Sequence, residues 1–332
     1  MDGSPGESGA ARHRLTPDVR LILESGIRAP SGHNTQPWRF DVDGDTIRVL
    51  PDLGRRLPVV DPDDHALFIS LGCAVENMVV AARHLGMDAA VSIEADGSIF
   101  VRLTDSAEPP RDELYEAIAK RQSNRGAYDG RPVPDDHLTK LLDAAAREGV
   151  RVLPFVGQDG FGELLPFIAE GNRAQFADRE FVNELISWVR FSDAEAQATQ
   201  DGLWSRCMGV PAAPRWLGSI FMRLFTSPKS EAARCEKLVR SSSALVLFAA
   251  EGNDYAAWVN VGRSFQRLAL TATSLGISHA HVNMPCEVVS VRRRLAEHLS
   301  LDTAQPLLLI RLGYASPLPY SMRRPLTDVL VA

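Results

Sequence analysis

Cysteine is scarce in this 332-residue chain. Cys73, Cys207, Cys235 and Cys286 lie far apart and form no CxxC pair. That excludes a disulfide framework or a cysteine-built metal cluster and fits a reducing cytoplasm. Basic excess is also missing. The net charge is −6 and the isoelectric point about 5.8, which argues against nucleic acid as the main partner, because phosphate-backbone binding needs a basic surface. No apolar run approaches the roughly 18 residues that span a bilayer, so no membrane association is expected. Residues 1–14 are small, polar and charged, without the apolar stretch of a secretory signal, and read as a disordered lead-in. There is no GxGxxG, which argues against a separate dinucleotide-binding domain. No trustworthy Ser, His and Asp set for hydrolysis stands out.

The composition that remains, 45% hydrophobic and 23% charged, is that of a globular chain long enough for two domains or one large one. Its organisation shows a weak internal repeat. The stretch from Leu71 and Gly72 to Leu85 and Gly86 aligns without a gap on Val261 and Gly262 to Leu275 and Gly276. Both copies have helical period, are apolar around most of the circumference and stop at Leu-Gly, which predicts two buried core helices. Around the first copy the pattern predicts a helix over 18–27, strands over 38–42 and 46–50, the core helix over 64–85, and strands over 89–94 and 98–103. The Asp43, Gly44, Asp45 stretch is a hairpin signal. A polar linker covers 105–111. Then come helices over 112–121 and 134–148, a strand over 150–156, helices over 160–177 and 178–191, and a strand over 244–250. The second core helix spans 255–275, followed by a strand over 279–282, a helix over 287–299 and a strand over 307–313. Residues 1–14, 15–105 and 106–332 are thus a lead-in and two repeats. An insertion at about 195–230 carries Trp204, Met208, Trp216, Leu217, Phe221 and Met222 and reads as a lid, a partner surface or a core helical hairpin.

Three clusters carry candidate chemistry. Residues 30–38 read Pro-Ser-Gly-His-Asn-Thr-Gln-Pro-Trp. Pro30 and Gly32 allow close backbone approach, Asn34 and Gln36 offer amides, and Trp38 packs the turn onto the core. A ring-shaped polar ligand needs that mix; an ordinary helix-to-strand loop has it too. Arg121, Ser123 and Arg125 put two guanidinium forks and a hydroxyl within five residues, which suits a phosphate monoester or, equally, the C-terminal end of a helix. Arg323 and Arg324 read as a basic loop. His279 and His281 would share a strand face, a metal pair without a third ligand. Cys286 reads as a buried, inert thiol.

Together the clusters resemble the FMN-dependent nitroreductase family. The resemblance implies an α+β fold with mainly antiparallel sheets flanked by helices. It also implies that Arg121, Ser123, Arg125, Arg323 and Arg324 hold the FMN phosphate. Pro30, Ser31, Gly32 and Asn34 would contact the isoalloxazine, with Gln36 and Trp38 supporting the turn. Asn172 would reach the pyrimidine edge, and Met284, Pro285 and Cys286 would lie near flavin N5. In the family, Arg-x-Ser-x-Arg precedes Pro-Ser-x-x-Asn, and each site takes one motif from each subunit of a homodimer. Here the order is reversed: the turn motif lies in repeat one, the phosphate motif in repeat two. Repeat two has Ala144, Ala145, Ala146, Arg147, Glu148 and Gly149 where a turn motif belongs. The chain thus resembles the Acg-type branch, an internal pseudo-dimer with an inserted lid and one FMN, monomeric or loosely dimeric. The implied activity is electron transfer from NAD(P)H through FMN to a small nitro, quinone or enone-type acceptor. The alternatives are an FMN-sequestering protein with a closed lid, and a module that binds a partner through the insertion.

Overall fold

Thr16 caps the first helix, accepting a hydrogen bond from the Val19 amide, and Pro17 follows at the first turn, where its missing N–H costs nothing. This computed structural model describes residues 15–107 and 112–331; the expected disordered lead-in lies outside the described residues. The first helix, α1, spans Pro17–Gly26. Strands β1 (Trp38–Asp43) and β2 (Thr46–Pro51) pair antiparallel, with Asp43 opposite Thr46 and Gly44 at φ +59° in the turn, as the Asp-Gly signal predicts. Helix α2 (His65–His84) leads to β3 (Met87–Ile93) and β4 (Ile99–Asp105). These four strands form one antiparallel sheet in the order β1-β2-β4-β3.

The second half begins with α3 (Tyr115–Lys120) and α4 (Asp135–Ala145). Strand β5 (Val150–Val156) is followed by α5 (Gly157–Ala177) and α6 (Arg179–Trp188). Next come the two-residue β6 (Val189–Arg190), α7 (Asp193–Thr199), β7 (Leu203–Trp204), α8 (Arg215–Phe225) and α9 (Pro228–Arg240). The remaining elements are β8 (Ala244–Ala250), α10 (Tyr255–Ser274), β9 (Ser278–His281), α11 (Met284–Glu287), α12 (Val289–His298) and β10 (Gln305–Gly313). The second sheet is also antiparallel, in the order β5-β8-β10-β9. With strands numbered within their own sheet, both four-stranded sheets run first, second, fourth, third.

The core lies between the sheets, where α2 crosses α10. The contact is reciprocal. A Cβ on Gly72 would overlap the Val259 carbonyl oxygen, and one on Gly262 would overlap that of Ile69. Only glycine lets the two backbones approach this closely. Asn77 and Gln266 bond across the same interface, side chain to side chain at 2.6 Å. Helix α2 departs from the expectation that nothing here is apolar enough for a bilayer: its length and mean hydropathy of 1.5 meet that criterion. The reason is burial on nearly every face among α1, α10 and the first sheet, which selects apolar side chains all round.

Other boundaries moved for local reasons. The helix expected to reach residue 191 stops at Trp188, because Val189 and Arg190 pair in parallel with Leu203 and Trp204. The helix expected over 287–299 is interrupted at Val288, which adopts extended backbone. The insertion is not a core hairpin: α8 exposes Trp216, Leu217, Ile220, Phe221 and Leu224, the last at 72%. After β10 the chain returns to the first sheet. Phe40 donates to the Val329 carbonyl at 2.7 Å and accepts from the Val331 amide at 2.8 Å. That return carries Arg323 and Arg324 across to the first half.

Candidate functional site

The loop between α1 and β1 is held in an unusual conformation. His33, Asn34 and Gln36 all have positive φ (46°, 56° and 54°), a region costly for residues with a side chain. Three sets of bonds hold the loop there. Ser31 Oγ accepts from the Gln36 amide at 2.9 Å. Asn34 Nδ2 donates to the carbonyls of Gly202 (3.0 Å) and Met322 (3.2 Å), while Asn34 Oδ1 accepts from Arg323 at 2.9 Å. Gln36 Nε2 donates to the Gln200 carbonyl at 2.9 Å, and its Oε1 accepts from the Arg324 amide at 2.8 Å. Both amides therefore fasten the loop to the insertion and to the C-terminal segment. Trp38 is fully buried beneath it, as the turn requires. Gly32 faces Leu57, where a Cβ would sit 3.2 Å from Cδ1.

The 121–125 segment leaves α3 and runs alongside β9. Ser123 bridges His279, and the Asn124 amide donates to the His279 carbonyl at 2.8 Å. Arg311, buried on β10, donates to the Gly126 and Asn124 carbonyls at 2.7 and 3.3 Å and lies over the Tyr128 ring. Arg121 is buried and donates to the Arg28 carbonyl at 3.1 Å. Arg323, arriving from the opposite end of the sequence, donates to that same carbonyl at 3.3 Å and to Ala29 O at 3.0 Å. Among the described residues no carboxylate pairs with Arg121, Arg125 or Arg323. Burial, reinforced by Arg125, lowers the Arg121 pKa to about 10. Burial, with Arg121 nearby, lowers that of Arg323 to about 9. Converging cations without a counter-charge are costly in a protein interior, and the natural occupant of such a place is an anion. Arg324 does not share in this: its guanidinium donates to Asp328 O at 2.8 Å and lies 3.9 Å from Asp52.

Three histidines flank the guanidinium groups. Burial and then Arg125 hold His33 down to about 4. Burial, Arg125 and Arg121 hold His281 to about 3. His279 is pushed well below the usual imidazole value by burial, Arg121, His281 and Arg125. The sequence grouped His279 and His281 on one strand face, as a metal pair lacking a third ligand; the structure turns that face toward arginines. Cys207 of the insertion also belongs here, buried near Arg125 and Arg323; burial raises its pKa. Neither Cys207 nor the carbonyls of Arg28, Gln200 and Gly202 carried a sequence signal, because insertion-to-loop packing has no local pattern.

A second wall continues from β9. Gly171 packs on the Met284 and Pro285 backbone, where a Cβ would come within 2.8 Å of the Met284 carbonyl. Beside it, Asn172 is buried with its Oδ1 unpartnered. Gln175 donates to Glu287 at 2.6 Å. Burial raises the pKa of Cys286, leaving a protonated thiol. So the Gly171 and Asn172 stretch of α5 packs against the Met284 and Pro285 backbone.

Asp61, Asp63 and His65 have oxygens and a nitrogen within metal-binding reach of one another. Their partners argue for a structural ion cluster instead. Asp61 accepts the Ala66 and Leu67 amides at 3.0 and 2.9 Å, and Arg292 donates to Asp63 at 2.6 Å. Burial opposes a charge on His65, but the bonds and charges of Asp61 and Asp63 outweigh it and raise the pKa to about 9. A protonated imidazole beside a guanidinium is a poor ligand set.

The family model described as Nitroreductase matches residues 118–314. The chain is 28% identical to the Mycobacterium tuberculosis protein Rv3131, over 98% of this chain and 95% of that one. It is 24% identical to the protein acg of the same organism, over 95% and 96%. Both relatives are named as NAD(P)H nitroreductases, as yet provisionally. A nitroreductase with bound FMN from Desulfitobacterium hafniense overlaps 66% of this chain and 97% of its own, at 16% identity and a TM-score of 0.42. With more than half of its length matched by the family model, the chain belongs to the nitroreductase family.

Proposed function

We propose that this protein is an FMN-dependent oxidoreductase that holds one FMN per chain and takes electrons from NAD(P)H for a small organic acceptor. The observation that carries the reading is the convergence of Arg121, Arg125 and Arg323 with no carboxylate partner among the described residues. Their unpartnered atoms fit a phosphate: Nε of both Arg121 and Arg323 is buried without a bond. The names of the relatives point to the same chemistry. When bound, FMN would supply the electron-transfer step.

The residues of the chain then have separable tasks. Arg121, Ser123, Arg125 and Arg323 clamp the phosphate. Arg324, with Gln36 and Asn34, secures the 30–37 loop, so that Pro30, Ser31 and Gly32 present backbone to the ring. Asn172 offers its bare amide oxygen to the ring's polar edge, and the backbone at Met284, Pro285 and Cys286 lines the opposite wall. The common sheet order and the reciprocal glycine crossing support the reading of 15–105 and 106–332 as two fused repeats making a single site.

A second reading, storage of FMN with little turnover, is favoured by one observation. Gln200, Gly202 and Cys207 of the insertion are packed directly on the loop and the guanidinium groups, where they would restrict access to a bound ring.

The test of the site is flavin retention. Charged hydrogen bonds contribute about 1.5–3 kcal/mol each, so replacing Arg121 and Arg125 together by Ala should cut FMN retention by at least a hundredfold. A folded double variant that keeps its full flavin content would refute the assignment. In the intact protein, anaerobic bleaching by NADH or NADPH supports the enzyme. Bleaching by dithionite alone supports storage.

A further inference from the structure

His279 is 1% exposed, and neither of its ring nitrogens has a hydrogen-bond partner. Buried side chains with two unmade bonds are rare in folded proteins. Its backbone is well tied: the carbonyl accepts from Asn124, and β9 pairs it with Leu312 of β10. The ring is confined by Phe265 of α10, edge-on at 5.6 Å, and by His281, edge-on at 6.3 Å. The charged groups facing it are Arg121 and Arg125 from the 121–125 segment; its own strand presents the neutral His281, and α10 and β10 present Phe265 and Leu312. All the charge is of one sign. An imidazole so placed is neutral while the protein is free, and one of its nitrogens then carries a proton to donate with nothing to receive it.

We propose that His279 is a further phosphate-binding residue of this site, and that it takes a proton from solvent as the phosphate of FMN enters, so that cofactor binding is coupled to protonation. The inference rests on the FMN reading above. The physical argument is a reversal of local sign. Against two arginines a third cation is disfavoured; against two arginines and a phosphate dianion it is favoured, and the protonated ring donates from both nitrogens. The proton comes from water, no covalent bond to the ligand forms, and the proton returns to solvent when FMN leaves. His281, half-buried and 5.0 Å from the same Phe265 ring, lies edge-on to His279 on the same strand face.

The experiment is calorimetric titration of the flavin-free protein with FMN and with riboflavin, near neutral pH, in buffers of differing ionisation enthalpy. The wild-type protein should take up about one proton more per FMN bound than His279→Gln, because a linked group transfers at most one proton. Glutamine keeps a donor but cannot titrate. The phosphate's own ionisation contributes equally to both proteins. Riboflavin should bind weakly, without the extra proton. If FMN binds both proteins with equal proton uptake, His279 has no such role and only this inference falls. If FMN and riboflavin bind alike, or neither binds, the guanidinium cluster is not a phosphate site and the functional reading fails with it. Histidine ring NMR of the wild-type protein gives the same answer without a variant: the His279 signal should pass from neutral to charged on adding FMN, and a signal that stays neutral overturns the proposal.

Discussion

Buried histidines in this protein titrate in opposite directions, and each direction has a stability consequence. The pKa values of His33 and His281 are lowered to about 4 and about 3, and that of His279 is lowered too, so the unfolded chain binds more protons than the folded one below 6.5. Their stabilisation is present above 6.5 and is lost as pH falls through about 4. His65 is the reverse: with its pKa raised to about 9, its contribution is full below 6.5 and disappears as pH rises through 9. The flavin-free protein should therefore be most stable near pH 6.5, measured by urea unfolding across the range. His65→Gln should remove the alkaline decline, worth roughly 2 kcal/mol or more, and leave the acid decline intact. An unchanged alkaline limb in that variant would show that His65 is not the group. At this scale the sequence disclosed which residues are chemically able, such as Arg121 and Arg323. It did not disclose which are left without a carboxylate, because Arg324 looks identical to Arg323 until Asp52 is seen beside it.

Elements were legible where a local pattern decides them. The Asp-Gly turn, both core helices, and the strands at Val150–Val156 and Ala244–Ala250 all lie where period and turn chemistry put them. Ends set by tertiary bonds were not: α6 stops where Val189 and Arg190 pair with Leu203 and Trp204, with Arg190 also bound to Asp201 at 2.6 Å. The crossing of α2 and α10 offers a sharp test. Gly72→Ala or Gly262→Ala forces a methyl into a backbone carbonyl, and overpacking of that kind costs about 1–3 kcal/mol. The control is Gly162→Ala in α5, where a Cβ meets nothing within 4 Å. There the higher helix propensity of alanine should stabilise by up to about 1 kcal/mol. Equal midpoints of denaturant unfolding for all three variants would mean that the helices do not need this close approach.

At the scale of the whole molecule, the guanidinium cluster draws on both halves of the chain: the 30–37 loop from the first, the 121–125 segment and the C-terminal return from the second. If these are two fused repeats with one working site, the stoichiometry follows. The purified protein saturated with FMN should bind one flavin per chain by absorbance. Two per chain would mean that the Arg147 region is also a working site. Arg147, Arg263 and Arg267 instead surround the buried Glu76, at 3.3, 3.0 and 2.7 Å. Burial raises the Glu76 pKa, but these three arginines outweigh it and hold the carboxylate ionised. There Glu76, with Asp112 3.4 Å from Arg267, already supplies internal counter-charge to the arginines, which lessens the demand for a phosphate.

The sequence by itself determined the buried helices, the hairpin, the strand pattern and the three motifs, because period, caps and turn chemistry act over a few residues. Only the tertiary structure decided that Arg121 and Arg323 meet at the Arg28 carbonyl and that Asn34 and Gln36 are bound by the insertion. It alone left His279 buried beside two arginines with no bond to either ring nitrogen. Those outcomes depend on contacts between residues up to about 300 positions apart, where the sign and satisfaction of each polar group are set by whatever the fold brings against it.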